Sequence, residues 1–399
     1  MSDLDFASVT AERAATNRAA ARPLRVALVV EAAGGGVAVH LTDLIAGLHA
    51  RSDVEIHLIA PLGERFDDVM LSGAAAQCHS FHRLPLQRAV GLHDLRGALA
   101  LRGLLRRLRP DIVHSHSSKA GALARLCRGP WKQAYTPHAV YTLNPTLSPA
   151  KRAFYGGTER VLGNACSDAV IAVSRAEADH LQALGIASRR IRVVENGVTP
   201  PKLLARQAAR IALGLADDTF VVGFVGRFDH QKGVDRLVRI ARVLEQRYDR
   251  RLQIVAIGSG DFTRAAGDEA HDLPLNLHIA GRVDDARRYF SAFDLLALPS
   301  RYEGFPYVCL EAVAAHVPMV ATHVAGAAEL IAAHRVGMTV PNLDDPAAFA
   351  SMVARLVEHP AALRLMREQC ARAYPHFSAD AMVDRTLAVY RDLLQENSR

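Results

Sequence analysis

Twelve short runs rich in apolar and β-branched residues divide this chain into two series of six, a rhythm that leaves few folds open. The first series is Leu24–Val30, Val54–Ala60, Asp111–His116, Gln133–His138, Asp168–Ser174 and Ile191–Asn196. The second is Phe220–Gly226, Leu252–Gly258, Leu275–Ala280, Asp294–Ser300, Pro318–Val324 and Gly337–Pro341. Strands buried on both faces read as near-continuous apolar runs, and the stretches between these carry helical periodicity. Strands alternating with helices give parallel sheets covered on both faces. The expected fold class is therefore α/β, with two Rossmann-like, doubly wound parallel-sheet domains. At 399 residues the chain is long enough for two such cores. The break is expected at Thr199-Pro200-Pro201, where a double proline follows a strand end. The expected organisation is a disordered leader over 1–22, an N-terminal domain over 23–199 and a C-terminal domain over 200–378, followed by a last helix.

Composition narrows the function classes. Half the residues are apolar and 22% are charged, as in an ordinary globular protein, and no apolar run reaches membrane-spanning length. The first residues are rich in Ala and Arg but lack the apolar centre of a signal peptide. Cys78, Cys127, Cys166, Cys309 and Cys370 are odd in number and show no CxxC spacing. They read as reduced thiols of a cytoplasmic protein. The net charge of +7 is concentrated: between Arg83 and Lys132 stand eleven Lys/Arg against two acids, Asp94 and Asp111. The helix expected at Asp94–Arg109 sets its leucines on one side and Arg102, Arg106 and Arg109 on another. It reads either as a packed helix with a solvated face or as a surface for anionic lipid head groups or a phosphorylated acceptor. Nucleic acid is not expected, because the segment lacks interleaved aromatics.

In open α/β sheets ligands bind beyond the carboxyl ends of the strands, and the chemically distinctive residues fall at such ends in both halves. That placement points to one cleft between the two domains. Gly34-Gly35-Gly36 follows the first run, where glycines let backbone amides approach a phosphate at a helix N-terminus. His116 and His138 close the third and fourth runs. In His114-Ser115-His116 both rings share one strand face. A metal would need a third ligand there, and none stands nearby at a suitable spacing, so hydrogen-bonding histidines are the preferred reading. Arg227 and Lys232 bracket the turn before the helix Val234–Tyr248, placed to neutralise a diphosphate from two sides. Glu303 follows the tenth run, and Glu311 sits eight positions on, within a helix expected over Tyr307–His316. A carboxylate on each side of a helix N-terminus suits a polyhydroxylated ligand whose phosphate faces the helix dipole, as in a nucleotide sugar. Taken alone, either motif also fits solvated surface charges.

Together the glycine turn, the HSHSSKAG run, the GRFDHQKG turn and EGFPYVCLEA resemble the retaining glycosyltransferases of family 4, of the bacterial exopolysaccharide, capsule or lipid-linked glycan type. The resemblance covers about residues 24–395. It implies the GT-B fold: an acceptor domain, a donor domain with the nucleotide sugar in the cleft, and a last helix over Ala379–Gln395 within 379–399 that packs back on the first domain. It implies that Arg227 and Lys232 hold the donor diphosphate, with Gly35 and Gly36 against the phosphate. Glu311 is then expected on the ribose, and Glu303 with the backbone of Gly304, Phe305 and Tyr307 on the sugar. His138 is expected beside the sugar, and Arg282 and Val283 at the nucleobase. Arg227, Lys232, His138 and Glu303 are the expected catalytic residues. Here Gly258-Ser259-Gly260-Asp261 replaces the family's Gly-Asp-Gly-Pro turn, and His138-Ala139 its frequent His-Gly pair. The implied chemistry is transfer with retention from a UDP- or GDP-linked sugar to a hydroxyl of a glycan or lipid-linked acceptor. The leaving phosphate takes the acceptor's proton, and no metal or cofactor is expected. The expected location is cytoplasmic, with peripheral attachment to the inner face of the plasma membrane through Arg83–Lys132. A nucleotide-sugar epimerase of the same fold and an inactive nucleotide-sugar-binding partner are the alternatives. The absence of a GxGxxG fingerprint disfavours a dehydrogenase.

Overall fold

Apolar strands too short to bury both faces alone gather into two parallel sheets. The computed structural model describes residues 22–31, 35–61, 68–84 and 93–396; the leader, Gly34 and part of the basic segment lie outside them. The first sheet contains β1 (Leu24–Val30), β2 (Val54–Pro61), β3 (Ser80–Leu84), β4 (Ile112–His116), β5 (Lys132–Thr136), β6 (Ala169–Ala172) and β7 (Ile191–Val193), ordered 3-2-1-4-5-6-7. The second contains β8 (Phe220–Val225), β9 (Leu252–Ile257), β10 (Leu277–Gly281), β11 (Leu295–Leu298), β12 (Met319–Thr322) and β13 (Gly337–Val340), ordered 10-9-8-11-12-13. All neighbouring strands run parallel, so this is the expected α/β architecture. β3 was not anticipated. Its sequence, Ser-Phe-His-Arg-Leu, is half exposed at the sheet edge and carries no continuous apolar run.

The strand order fixes where a ligand can sit. It reverses between β1 and β4 in the first sheet and between β8 and β11 in the second. Helices flanking such a point lie on opposite faces, and the crevice opens beyond the strand ends. Register brings Val30 beside His116 and His116 beside Thr136, while β8 and β11 end at Val225 and Leu298. Both crevices therefore receive the residues that follow these strands.

The helix Val234–Tyr248 shows how local sequence meets packing. Val234, Leu237, Val238, Ala241 and Leu244 are buried on one side against the second sheet. It starts at Gly233, whose φ of 72° places it in the left-handed region; a Cβ there would lie 2.3 Å from the Pro299 carbonyl oxygen. Only glycine meets both demands.

The last helix, Ala379–Gln395, packs Met382, Val383, Leu387, Tyr390 and Leu393 into the core of the first sheet with Val26, Leu28, Leu41 and Leu44. Tyr390 Oη lies 2.6 Å from His114 Nδ1, which anchors the helix beneath β4. The chain thus passes twice between the halves. The strands of the two passages meet where Val198 N donates to the Phe377 carbonyl at 2.9 Å. No helix among the described residues is long and apolar enough to cross a membrane, and all five cysteines are free.

Candidate active site

Lys232 and Glu303 form the centre of the site on the second sheet. The turn after β8 brings Lys232 inward: Asp229 Oδ1 accepts from the Lys232 amide at 3.0 Å and shapes the turn. The loop after β11 carries Glu303, and Lys232 Nζ donates to Glu303 Oε1 at 2.7 Å. Both side chains are largely buried, at 15% and 7% exposure. A buried pair of this kind is a short charge-assisted contact in low dielectric. Gln231 ties the two loops together, donating to the Tyr302 carbonyl at 3.1 Å and accepting through its own carbonyl from Arg301 N at 2.8 Å. The Arg301 guanidinium in turn grips Asp235 through both nitrogens. Arg227, expected to share this centre, is instead 61% exposed and leans on Asp229 at 3.1 Å.

Glu311 lies in the helix Tyr307–Ala314, two residues shorter than the spacing suggested because His316 takes a φ of 57°. The carboxylate is 7% exposed and has no hydrogen-bond partner among the described residues. Burial pushes its pKa up to about 7, partly offset by the Arg287 guanidinium. Arg287, held by Asp285 at 2.7 Å, was not recognised in the sequence, where it is one arginine among many. Arg282 is exposed and Val283 half-buried just after β10, and Gly258 N donates to the Gly281 carbonyl at 2.8 Å beside them. A Cβ on Gly258 would fall 1.8 Å from the Gly226 carbonyl oxygen, which accounts for a glycine at that turn.

The first sheet contributes the opposite wall. Gly35, with φ 56°, precedes the helix Gly36–His49, and a Cβ on Gly36 would lie 3.1 Å from the Tyr307 ring. The two switch points therefore face each other at close range. His138 was expected to end a strand, but β5 stops at Thr136. His138 and Ala139 follow with φ of 56° and 77°. Two consecutive non-glycine residues in the left-handed region carry strain of about 1–3 kcal/mol each, and the family's frequent glycine would relieve it at the second. Glu177, which the sequence reading missed, holds this loop. Fully buried, it accepts from Ala139 N at 2.9 Å, Val140 N at 3.0 Å and Val173 N at 2.8 Å, and burial raises its pKa despite these amides. A Cβ on Gly304 would come within 2.8 Å of Ala139 N, so the Gly304 and His138 loops of the two halves touch.

Four histidines line this wall. His114 is structural, its Nε2 2.7 Å from Thr136 Oγ1 and its Nδ1 on Tyr390. His116 Nδ1 lies 3.1 Å from His138 Nε2. His40, which closes the glycine-turn motif and was given no role in the sequence reading, places Nδ1 2.9 Å from Tyr307 Oη and 3.2 Å from Asn196 Oδ1. Burial lowers every one of these pKa values, that of His40 to about 4, so the rings are neutral near pH 7. One nitrogen from each of His40, His116 and His138 lies within 4.8 Å of the others.

Residues 34–201 match the model of Glycosyltransferase Family 4, and residues 219–359 that of Glycosyl transferases group 1. D-inositol 3-phosphate glycosyltransferase 1 of Catenulispora acidiphila is 33% identical over 310 residues, covering 71% of this chain and 73% of that protein. The chain belongs to the family 4 glycosyltransferases. Among solved structures, sucrose-phosphate synthase from Thermosynechococcus elongatus superposes with a TM-score of 0.76 at 20% identity, over 94% of this chain and all of that one. Anabaena HepE in complex with UDP and glucose superposes with a TM-score of 0.75 at 17% identity, over 92% of this chain and 99% of that one. These likenesses establish a GT-B fold for this family 4 enzyme.

Proposed function

We propose that this glycosyltransferase moves a sugar from a UDP-linked donor to a hydroxyl of a glycan or lipid-linked acceptor, with retention, in bacterial surface polysaccharide synthesis. The observation that carries this reading is the buried Lys232–Glu303 pair at one switch point facing the His138 loop of the other. Lys232, with Arg227 swung in from solvent, neutralises the leaving diphosphate and lets the C1–O bond break. Glu303, an acceptor-only group, takes hydrogen bonds from the sugar hydroxyls. The acceptor oxygen bonds to C1 on the face the phosphate leaves, and its proton passes to the phosphate oxygen, so no protein nucleophile or metal is required. His138, with a neutral ring on a strained loop, positions the sugar. Glu311 receives the ribose hydroxyls. The UDP and glucose bound by the HepE protein favour a uridine carrier.

The Glu311 environment supplies the test. Only the ionised carboxylate accepts from both ribose hydroxyls, so UDP binding weakens as pH falls through about 7. Two ionisation states in linkage give about a tenfold loss between pH 8 and pH 6. The sign for folding is opposite. A raised carboxyl pKa stabilises the fold at low pH, and that contribution is lost as pH rises from about 4.5 to about 7. Calorimetric titration with UDP should show this profile in the native chain and a flat one in Glu311→Gln. A pH-independent native profile would remove Glu311 from the ribose. Acceptor-dependent UDP release marks transfer, whereas isomerisation of donor alone would make the enzyme an epimerase.

Attachment to an anionic bilayer is the second part of the proposal, supported by the helix His93–Leu108. Leu95 and Leu99 are 65% and 62% exposed, and Arg96, Arg102 and Arg106 are exposed beside them. This stripe of leucine and arginine suits an anionic interface, at about 1 kcal/mol per basic residue. Not all of the Arg83–Lys132 charge takes part: Arg125 is fully buried. The chain should float with phosphatidylglycerol vesicles at low salt but not with phosphatidylcholine vesicles, and Arg102→Glu/Arg106→Glu should reduce flotation. Equal recovery with both lipids would argue against a charged membrane contact.

A further inference from the structure

The sequence offered no third ligand to the His114–His116 pair; the fold sets His114 aside and brings two other histidines to His116 from distant positions. His40 comes from the helix after β1, His116 from the end of β4 and His138 from the loop after β5. We propose that His40, His116 and His138 form a binding site for a zinc-class divalent cation on the floor of the cleft. The site shares His138 with the sugar-transfer reading, but it rests on the geometry of the three rings and not on that reading.

Three observations support it. First, His116 Nδ1 and His138 Nε2 are 3.1 Å apart, close to the roughly 3.3 Å between two nitrogens on a tetrahedral ion with Zn–N bonds of about 2.0–2.1 Å. Second, Nε2 of His40 is buried without any partner, on a residue only 4% exposed. Buried polar atoms in native proteins are nearly always partnered, by protein, water or an ion. Third, the proton position on His40 is set by its neighbours. Asn196 Nδ2 donates to the Phe305 carbonyl at 3.2 Å and Tyr307 Oη donates to Met382 Sδ at 3.8 Å, so both oxygens face His40 Nδ1 as acceptors. Nδ1 of His40 therefore carries the hydrogen, and Nε2 keeps a free lone pair. Fixing one nitrogen through an outer hydrogen bond while freeing the other is how metal-binding imidazoles are oriented. A site of neutral imidazoles without thiolate or carboxylate suits zinc and its neighbours rather than magnesium or calcium. Three protein ligands leave the fourth position for water or a cleft ligand.

The experiment is a calorimetric titration of the full chain with ZnCl2, paralleled by visible absorption on adding Co2+. We expect saturation at one ion per chain, the bands of tetrahedral Co2+ and a rise in Tm, since an ion that binds only the folded state stabilises it. His116→Ala and His40→Ala, each checked for fold by circular dichroism, should lose the saturable phase. Asn196→Ala, which keeps all three ligands, should weaken binding about 10–100-fold. His82→Ala, in the separate group where Ser80 bridges His57 and His82, should leave binding unchanged. Absence of saturable binding, or binding that survives His116→Ala or disappears in His82→Ala, would overturn the proposal.

Discussion

Lys232→Ala should lower sugar transfer by about 10³-fold or more, the scale seen when one preorganised electrostatic partner of a developing anion is removed. Lys232 is the buried cation of the site, and it holds Glu303 at 2.7 Å. Truncation removes the charge proposed to meet the leaving phosphate and leaves Glu303 without its partner in a poorly solvated position. Glu303→Gln keeps the cation and should cost less at the diphosphate while still impairing the sugar. Initial rates of UDP release with saturating acceptor decide the point, with circular dichroism confirming that the variant folds. A Lys232→Ala variant that turns over near the native rate would move the diphosphate elsewhere. Arg227→Ala should also reduce transfer. Its exposed side chain makes its folding cost small, so the two variants separate chemistry from stability.

Glu159→Ala should destabilise the first sheet by about 3–5 kcal/mol, the cost of leaving a buried charge without its partner. Arg125 is fully buried; its guanidinium reaches Glu159 at 2.9 and 3.2 Å and lies 3.9 Å over the Tyr135 ring. Tyr135 Oη also donates to Glu159 at 3.2 Å. A loss of this size is a large fraction of the 5–15 kcal/mol typical of a folded domain. Urea denaturation measures it. The paired replacement Arg125→Met/Glu159→Leu should recover most of the loss, because two apolar groups of similar volume need no partner. Equal stability of Glu159→Ala and the native chain would mean that water reaches Arg125. The effect extends to function through β5, which carries Tyr135 and leads directly into the His138 loop.

Legibility in the sequence followed how local each property is. A buried parallel strand is an apolar run and its covering helix an apolar stripe, so twelve strands and the helix Val234–Tyr248 could be read from neighbours alone. The edge strand Ser80–Leu84 was missed, since an edge needs no continuous apolar stretch. Arg125 counted toward a basic surface because burial leaves no mark on an arginine's immediate neighbours. His138 was placed in a strand because the apolar run continues to it. Glu177, three amides in hand, looked like an ordinary helix-start glutamate after Ser174, a capping pattern in which the acid usually faces its own helix.

The sequence by itself determined two doubly wound sheets and the residues at their carboxyl ends, since apolar periodicity and strand ends are properties of short stretches. Tertiary structure alone decided which of those residues meet. Lys232 and Glu303 are brought together by the pairing of β8 with β11. His40, His116 and His138 converge because β1, β4 and β5 lie side by side. Contacts across so many residues depend on strand order, which no local pattern encodes. Of the His114–His116 pair only His116 joins that cluster, because Tyr390 and Thr136 take both nitrogens of His114.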